Sequence, residues 1–370
     1  MYNIFISIFC NTKYIKFYNY IIIIMRLKRG IINLVDVCCG LAWGDEGKGK
    51  IVAQLAKSGK YNFVCRFNGG HNAGHTVYVN NKKYKTHLIP SGIFYGIPSI
   101  IGPGCVINIE SFKKEIEYLY DAGFNTDLIK VSPKAHVILD KHIEEDKAKY
   151  FVSQGSTARG IAPCYKDKYG RLGLRAGDVL FTDFLKSYIW DENLYGNILC
   201  EGAQGLWLDV DYGNYPYTTS SSTMPYNIGN LGIPVQYINN IYGAVKVYDT
   251  RSGIDPDFPE DLLKDKELLE ISNVGNEYGV TTGRKRRVNW LNLTKLTSAI
   301  NLTGTTHLII SKVDILEKVE LYKLLVDNNI INFNSMYAMK EYINNILLNN
   351  CHLLKEIIYS GDPEIVQELE

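Results

Sequence analysis

The sequence has no surplus charge of either sign: 40 lysines and arginines stand against 39 aspartates and glutamates in 370 residues, a formal net charge of +1. That balance argues against a nucleic-acid partner, whose affinity would rest on a basic face. An anionic ligand must be held by local lysines and arginines instead. The eight cysteines form no Cys-x-x-Cys pair and lie near no pair of histidines, which leaves out the common zinc spacings. They read as buried, reduced thiols, Cys38 and Cys39 inside an apolar stretch, and so as the mark of a cytoplasmic protein. No apolar run reaches the ~20 residues of a spanning helix, so no membrane partner is expected. The Ile-, Tyr- and Phe-rich stretch before Met25 is interrupted by Asn11, Lys13, Lys16 and Asn19. The basic cluster Arg26, Lys28 and Arg29 follows the apolar part, the reverse of a signal peptide, and only Ser7 precedes it as a presequence-like residue. Residues 1–24 are therefore expected to be a dispensable extension, with 25–370 as one domain. No internal repeat and no low-complexity linker follows residue 30. With 46% hydrophobic residues, the chain can bury a large core.

From residue 31 a short apolar run stopped by Gly40 reads as a buried strand of a parallel sheet. The turn Gly44-Asp-Glu-Gly-Lys-Gly-Lys50 follows, and Ile51, Val52, Leu55 and Ala56 then recur at helical spacing. The unit is strand, phosphate-type loop, helix. Apolar runs at 63–66, 99–101, 197–200, 242–247 and 307–310, with charged or helix-periodic stretches between them, predict an α/β fold with a mostly parallel sheet. Functional loops belong at the carboxyl ends of its strands. The first loop is not a Walker A loop, because Ala42 holds the first-glycine position and Gly49 the hydroxyl position. Its glycines still admit phosphates, Lys48 can reach a terminal phosphoryl group, and Asp45 replaces the missing hydroxyl as a magnesium ligand. Taken alone, such a turn is weak evidence, and a lone Asp there is more often a helix N-cap.

The turn is not alone. Trp43-Gly-Asp-Glu-Gly-Lys-Gly-Lys50 resembles the signature of adenylosuccinate synthetases, and six further segments resemble that family's motifs in the family's order. They are Gly69-Gly-His-Asn-Ala-Gly-His-Thr76, Ser156-Thr-Ala-Arg-Gly160, Glu201-Gly-Ala-Gln-Gly205, Tyr215-Pro-Tyr-Thr-Thr-Ser220, Thr281-Thr-Gly-Arg-Lys-Arg-Arg287 and Lys312-Val-Asp314. The resemblance spans residue 31 to the C-terminus. It implies a single α/β domain around a long central sheet with helices on both faces, working as a homodimer. It also implies a GTP-dependent carbon–nitrogen ligase that converts IMP and L-aspartate to adenylosuccinate, the first committed step from IMP to AMP, with Mg2+ as cofactor. Oxygen 6 of hypoxanthine is a poor leaving group, so it first takes the γ-phosphoryl group of GTP, giving 6-phosphoryl-IMP, and aspartate then displaces phosphate. That route needs a base at ring nitrogen 1 and cations around the phosphoryl group.

Carried over residue by residue, the resemblance implies the catalytic set Asp45, His75, Gln204 and Lys48. Asp45 would be the base and a magnesium ligand, the carbonyl of Gly74 the second ligand, and His75 the acid that hydrogen-bonds the transferring group. His71 keeps the ordinary reading of a buried, satisfied histidine. IMP would meet Asp45, Lys48, Asn72, Ala73, Gly74, His75, Thr157, Gln204, Thr219 and Arg284, with Arg171 supplied by the neighbouring subunit. GTP would meet Gly44, Glu46, Gly47, Lys48, Gly49, Lys50, Gly74, His75, Thr76, Arg286, the guanine-reading segment Lys312, Val313 and Asp314, and Tyr359, Ser360 and Gly361. Aspartate would meet Val280, Thr281, Thr282, Gly283, Arg284, Lys285 and Arg286, since hydroxyls and guanidinium forks grip carboxylates.

Three departures stand out: Ala42 for the usual Gln, Ala158 for a glycine, and Thr250-Arg-Ser-Gly-Ile-Asp-Pro for the usual Val-Gly-Ala-Gly-Pro segment. Two rivals are set aside by residues. A viral relative that makes 2-amino-adenylosuccinate from a guanine nucleotide has a small residue where Asp45 stands. A nonenzymatic GTP-binding relative would not need His75, Gln204, Thr219 or Arg284.

Overall fold

In β1 (Ile32–Gly40) successive side chains leave opposite faces, and both faces are apolar, Val35 and Val37 on one and Cys38 on the other. A strand buried on both faces belongs inside a parallel sheet. The computed structural model, which describes residues 30–178, 183–190, 192–279, 283–364 and 366, places it there. Seven strands join it: β2 (Phe63–Arg66), β5 (Ser99–Ile101), β7 (Ile129–Val131), β9 (Gly196–Glu201), β10 (Ile238–Lys246), β13 (His307–Ser311) and β16 (Glu356–Ser360). The order is β16-β13-β10-β1-β9-β2-β5-β7, and every pairing is parallel. A hairpin of β3 (His75–Val79) and β4 (Lys82–Thr86) and a short pair of β6 (Val106–Ile107) and β8 (His136–Val137) lie apart from it. A second sheet runs β11-β12-β14-β15, from β11 (Tyr248–Arg251), β12 (Arg287–Asn292), β14 (Lys323–Val326) and β15 (Asn329–Asn332).

The period-two alternation divides the core. On one face α1 (Lys48–Lys57) packs Ile51, Val52, Leu55 and Ala56 with Cys38, Leu199, Ala244, Ile309 and Ile358. On the other, Phe67, Ile228 and Ile233 cover Val35, Val37, Phe63, Cys65, Ile198 and Cys200. Each fully buried Val, Leu, Ile or Phe in these layers contributes about 1.5–3 kcal/mol relative to exposure. The seven described cysteines are buried and unpaired, several of them in these layers.

All six apolar runs predicted as strands lie in the parallel sheet. Two of its strands and the whole second sheet have no counterpart in that prediction. β7 is only three residues with a central lysine, and β16 is an edge strand that opens on exposed Glu356, so neither shows a clear apolar run. Among the described residues, no helix is long and apolar enough to cross a membrane.

Candidate functional site

Loops leaving the carboxyl ends of parallel strands meet over one edge of the sheet, where ligands of such folds bind. Here the segments after β1, β2, β9, β10, β13 and β16 enclose a cavity of about 950 Å³. Ten lysines and arginines line it against five carboxylates, a local excess of positive charge in a nearly neutral chain. That field favours a polyanionic ligand.

The loop from β1 to α1 takes its shape from left-handed residues: Gly44 at φ 89°, Asp45 at φ 62° and Gly47 at φ 93°. Gly47, not Asp45, caps α1, so the ordinary N-cap role is closed to Asp45. The amino end of the helix opens on the cavity, where its N–H groups attract anions. Gly49 answers the missing Walker hydroxyl, because a Cβ there would lie 2.8 Å from the Cβ of His75. Glu46 turns inward. Its carboxylate accepts from the Gly44 amide at 2.8 Å, the Ala42 amide at 3.3 Å and Lys48 Nζ at 2.5 Å, so its side chain braces the loop. Lys50 donates to Ser360 Oγ at 2.7 Å and the Asp362 carbonyl at 2.6 Å, and burial pushes its ammonium down to about 8.

His75 starts β3 and is buried against Glu201, the last residue of β9. Its Nδ1 is hydrogen-bonded to Glu201 Oε1, while the Ser91 amide at 2.7 Å and Ser91 Oγ at 3.1 Å also donate to that carboxylate. Burial pushes the Glu201 carboxyl up, but His75 and Arg66 outweigh it and hold it low. Burial pushes His75 down by more than Glu201 pushes it up. An ionised Glu201 accepts only, so His75 donates from Nδ1–H and turns Nε2 to the cavity. Gln204, three residues after Glu201, sits at φ 59°. Its Nε2 donates to Asn72 Oδ1 at 3.4 Å, and its buried Oε1 has no hydrogen-bond partner among the described residues. An unpaired buried amide oxygen at a cavity wall is an open place for a ligand donor.

Across the cavity, Arg286 donates from Nε to Asp45 Oδ2 at 2.9 Å and from Nη1 to Glu277 Oε2 at 2.6 Å. Glu277 also accepts from Lys246 Nζ at 2.8 Å and Tyr248 Oη at 2.8 Å. Burial pushes the Glu277 carboxyl up, but Lys246, Arg286 and Lys312 prevail and hold it at about 2. Asp314 sits in the first turn of the helix Val313–Val319 and accepts from Lys318 Nζ at 2.6 Å.

The structure brings residues 44–50, 72–76, Thr157, Gln204, Thr219, Gly283, Arg284, Arg286, Lys312, Asp314 and Gly361 to this one cavity. Others of the expected site it does not. Lys285 points to solvent and donates to Asn273 Oδ1 at 3.3 Å, because β12 begins nearby and sends neighbours to opposite sides. Val313 packs into the apolar core. Tyr359 falls on the far face of β16 by the same alternation and donates to Asn344 Oδ1 at 2.9 Å. Ser360 is buried, where its Oγ accepts from Lys50 Nζ at 2.7 Å, and it does not itself line the cavity. Arg171, at φ 64°, is exposed and does not line its own chain's cavity. Val280, Thr281 and Thr282 lie outside the described residues. His71 is buried as expected, yet its Nδ1 has no partner among the described residues and burial drops it to about 3.

Sequence reasoning missed Glu201, Lys246 and Glu277. Glu201 opens a recognised motif and Lys246 is a lysine ending an apolar strand, so both carried a signal; Glu277 carried none.

The adenylosuccinate synthetase family profile matches residues 37–195 and 186–344. Among curated relatives, the adenylosuccinate synthetase of Cytophaga hutchinsonii is 41% identical, over 77% of this chain and 78% of its own. That of Exiguobacterium sibiricum is 37% identical, over 78% and 79%. Among solved structures, the fully ligated adenylosuccinate synthetase of Plasmodium falciparum aligns over 90% of this chain and 98% of its own, with a TM-score of 0.73 and 28% identity. The succinoaminodeoxyadenylate synthetase of cyanophage S-2L aligns over 85% and 99%, with a TM-score of 0.64 and 20% identity, a likeness of fold alone.

Proposed function

The chain belongs to the adenylosuccinate synthetase family, GTP-dependent ligases that join aspartate to IMP, and on that premise we propose how its cavity divides the work. The observation that carries the reading is the convergence of Asp45, His75, Gln204 and Arg286 on one cavity. Gln204 offers its free amide oxygen and its N–H to the purine edge, fixing ring nitrogen 1 and oxygen 6. Asp45, once released by Arg286, removes the proton from ring nitrogen 1, so that charge gathers on oxygen 6 as it attacks the γ-phosphoryl group. His75 donates from Nε2 to that group, and Lys48 exchanges Glu46 for phosphate oxygens. Thr157 and Thr219 hold the IMP phosphate, Asn72 and Ala73 flank the base, and Lys312 and Asp314 read guanine. Arg284 and the loop around Gly283 bind aspartate, whose amino group then displaces phosphate.

Magnesium fits the same wall. The Asp45 carboxylate and the Gly74 carbonyl are hard oxygen donors on one cavity, a set that suits a cation completing its shell with phosphate oxygens and water. When bound, the ion neutralises charge on the phosphate oxygens. Arg171 acts on the IMP phosphate of the partner in a homodimer, the protein is cytoplasmic, and residues 25–370 form the working domain. Asp45 also favours IMP over a guanine nucleotide, whose exocyclic amino group needs the room that carboxylate takes.

The test is an assay of the purified chain with GTP, Mg2+, aspartate and either IMP or dGMP, following the succinyl-purine product. Product is expected with IMP alone. Hydrolysis of GTP without a succinyl-purine would sink the reading.

A further inference from the structure

Glu277, which has no role assigned above, is surrounded by the charged groups of Lys246, Arg286 and Lys312. Its side chain is 1% exposed, and both carboxylate oxygens are taken. Oε2 accepts from Lys246 Nζ at 2.8 Å and from Arg286 Nη1 at 2.6 Å. Oε1 accepts from Tyr248 Oη at 2.8 Å and lies 3.8 Å from Lys312 Nζ. Lys312 in turn donates to the carbonyl of Gly275, two residues before Glu277, at 2.8 Å. Arg286 reaches on to Asp45 through Nε. One carboxylate thus stands between the segment that carries Asp314 and the pair that contains Asp45.

Stability is a poor reason for such a cluster. Buried ion pairs recover little beyond their desolvation cost, and apolar residues of similar volume often serve as well or better. Position is a better reason. Arg286 is held at two points, and it must leave Asp45 before that carboxylate can act as a base. With Nη1 fixed on Glu277, the guanidinium can pivot toward an incoming phosphoryl group without drifting from it, since a forked donor has a rigid geometry. A base engaged by Lys312 and Asp314 changes the field on the same carboxylate that anchors the pivot.

We propose that Glu277 is a positioning residue that couples the guanine end of the GTP site to its phosphoryl end, by holding Lys312 and Arg286 on one buried carboxylate. The inference rests on the roles given above to Asp45, Arg286 and Lys312. It goes beyond them in joining the two ends through a residue that touches no substrate.

The test uses the full chain with Glu277→Gln, which keeps the shape and one acceptor oxygen but removes the charge. Its kcat is expected to fall about tenfold and its KM for GTP to rise by a similar factor, while the KM for IMP moves less than about threefold. The sharper measurement is a double-mutant cycle on kcat/KM with Lys312→Ala and Arg286→Lys. With Glu277 present the two effects depart from additivity by about tenfold; with Glu277→Gln they become additive within about twofold. A merely structural Glu277 would lower the melting temperature and the folded fraction but leave the coupling and the contrast between GTP and IMP as in the wild type. That result overturns the proposal. If Glu277→Gln does not fold, the cycle is run in Glu277→Asp, which keeps the charge and shortens the reach; unchanged coupling there overturns it equally. Should Asp45→Asn and Arg286→Lys leave turnover intact, the reading of the whole site fails. Should they lower it measurably while the coupling survives loss of the Glu277 charge, only the role of Glu277 fails.

Discussion

Glu201→Gln tests the proton inventory of the site. Glu201 is fully buried and receives donors from His75, the Ser91 amide and Ser91 Oγ. Because the carboxylate can only accept, the Nδ1 of His75 must carry a proton, and Nε2 carries one only in the imidazolium form. Burial depresses that form in the free protein. A phosphoryl group in the cavity therefore has to be helped by Glu201 in keeping His75 charged. Replacing the carboxylate by an amide keeps the shape and an acceptor for Nδ1–H but removes the negative charge. The loss is that of one charge-assisted hydrogen bond, about 1.5–3 kcal/mol. It lowers the pKa of His75 in the complex, because the negative charge that favours the imidazolium is gone. A protonated donor is lost as pH rises through its pKa, so the alkaline limb of kcat moves to lower pH. At fixed pH above the shifted limb, kcat falls by about tenfold to a hundredfold. Initial rates of succinyl-purine formation from pH 5.5 to about 9, with all three substrates saturating, measure both. A variant that folds, loses activity and keeps the wild-type limb would refute the reasoning, because Glu201 would then place His75 without setting its charge.

Asp314→Asn should shift nucleotide use from GTP toward xanthosine triphosphate, since an amide can donate to the carbonyl that replaces the exocyclic amino group. The loss for GTP is about 1.5–3 kcal/mol, read from KM with the IMP and aspartate constants little changed, and an equal loss with both nucleotides would show that Asp314 does not read the base. Arg171→Leu should raise the KM for IMP far more than that for GTP or aspartate, and mixing it with Asp45→Asn should restore part of the activity through hybrid dimers; no recovery after confirmed subunit exchange argues for an unshared site. Gly49→Ser, which restores the Walker hydroxyl position, should destabilise the loop by about 1–3 kcal/mol and lower kcat, because its Cβ would press on that of His75 at 2.8 Å. Wild-type activity and melting in that variant would mean that α1 has room to shift. A chain starting at Met25 should keep full activity and assembly, measured by turnover and light scattering, and loss of either would make residues 1–24 structural.

What the sequence made legible was the local part of the site. Strand, glycine turn and helix follow one another within residues 31–57, so their hydrophobic period and turn chemistry are written in neighbouring positions. Contacts across long stretches of chain were not. Arg286 and Asp45 are 241 positions apart, and His75 and Glu201 are 126 apart, so no local pattern pairs them. Tyr359 and Lys285 show a second limit. Each lies in a motif-like segment, but whether a residue faces the cavity depends on strand register, and a segment match carries no register. Glu277 marks the third, since its importance lies wholly in four partners drawn from three other segments.

The sheet order explains how dispersed motifs become one site. β16, β13, β10, β1, β9 and β2 are consecutive neighbours, and every one of them delivers a cavity segment at its carboxyl end. β5 and β7 fill the remaining edge, and the long segment between β7 and β9 brings Thr157 to the cavity from farther along the chain. Adjacent parallel strands lie about 4.8 Å apart, so six of them spread their loops over a span of about 24 Å. That span can seat two nucleotides side by side with the reacting oxygen between them. The left-handed residues Asp45, Gln204 and Lys312 stand where β1, β9 and β13 hand over to their loops. Backbone that turns so sharply after a strand keeps the next side chains close to the sheet's rim. Substituting these positions by β-branched residues, which resist φ above zero, would therefore move the site's side chains off the rim even where the chemistry of the replacement is tolerated.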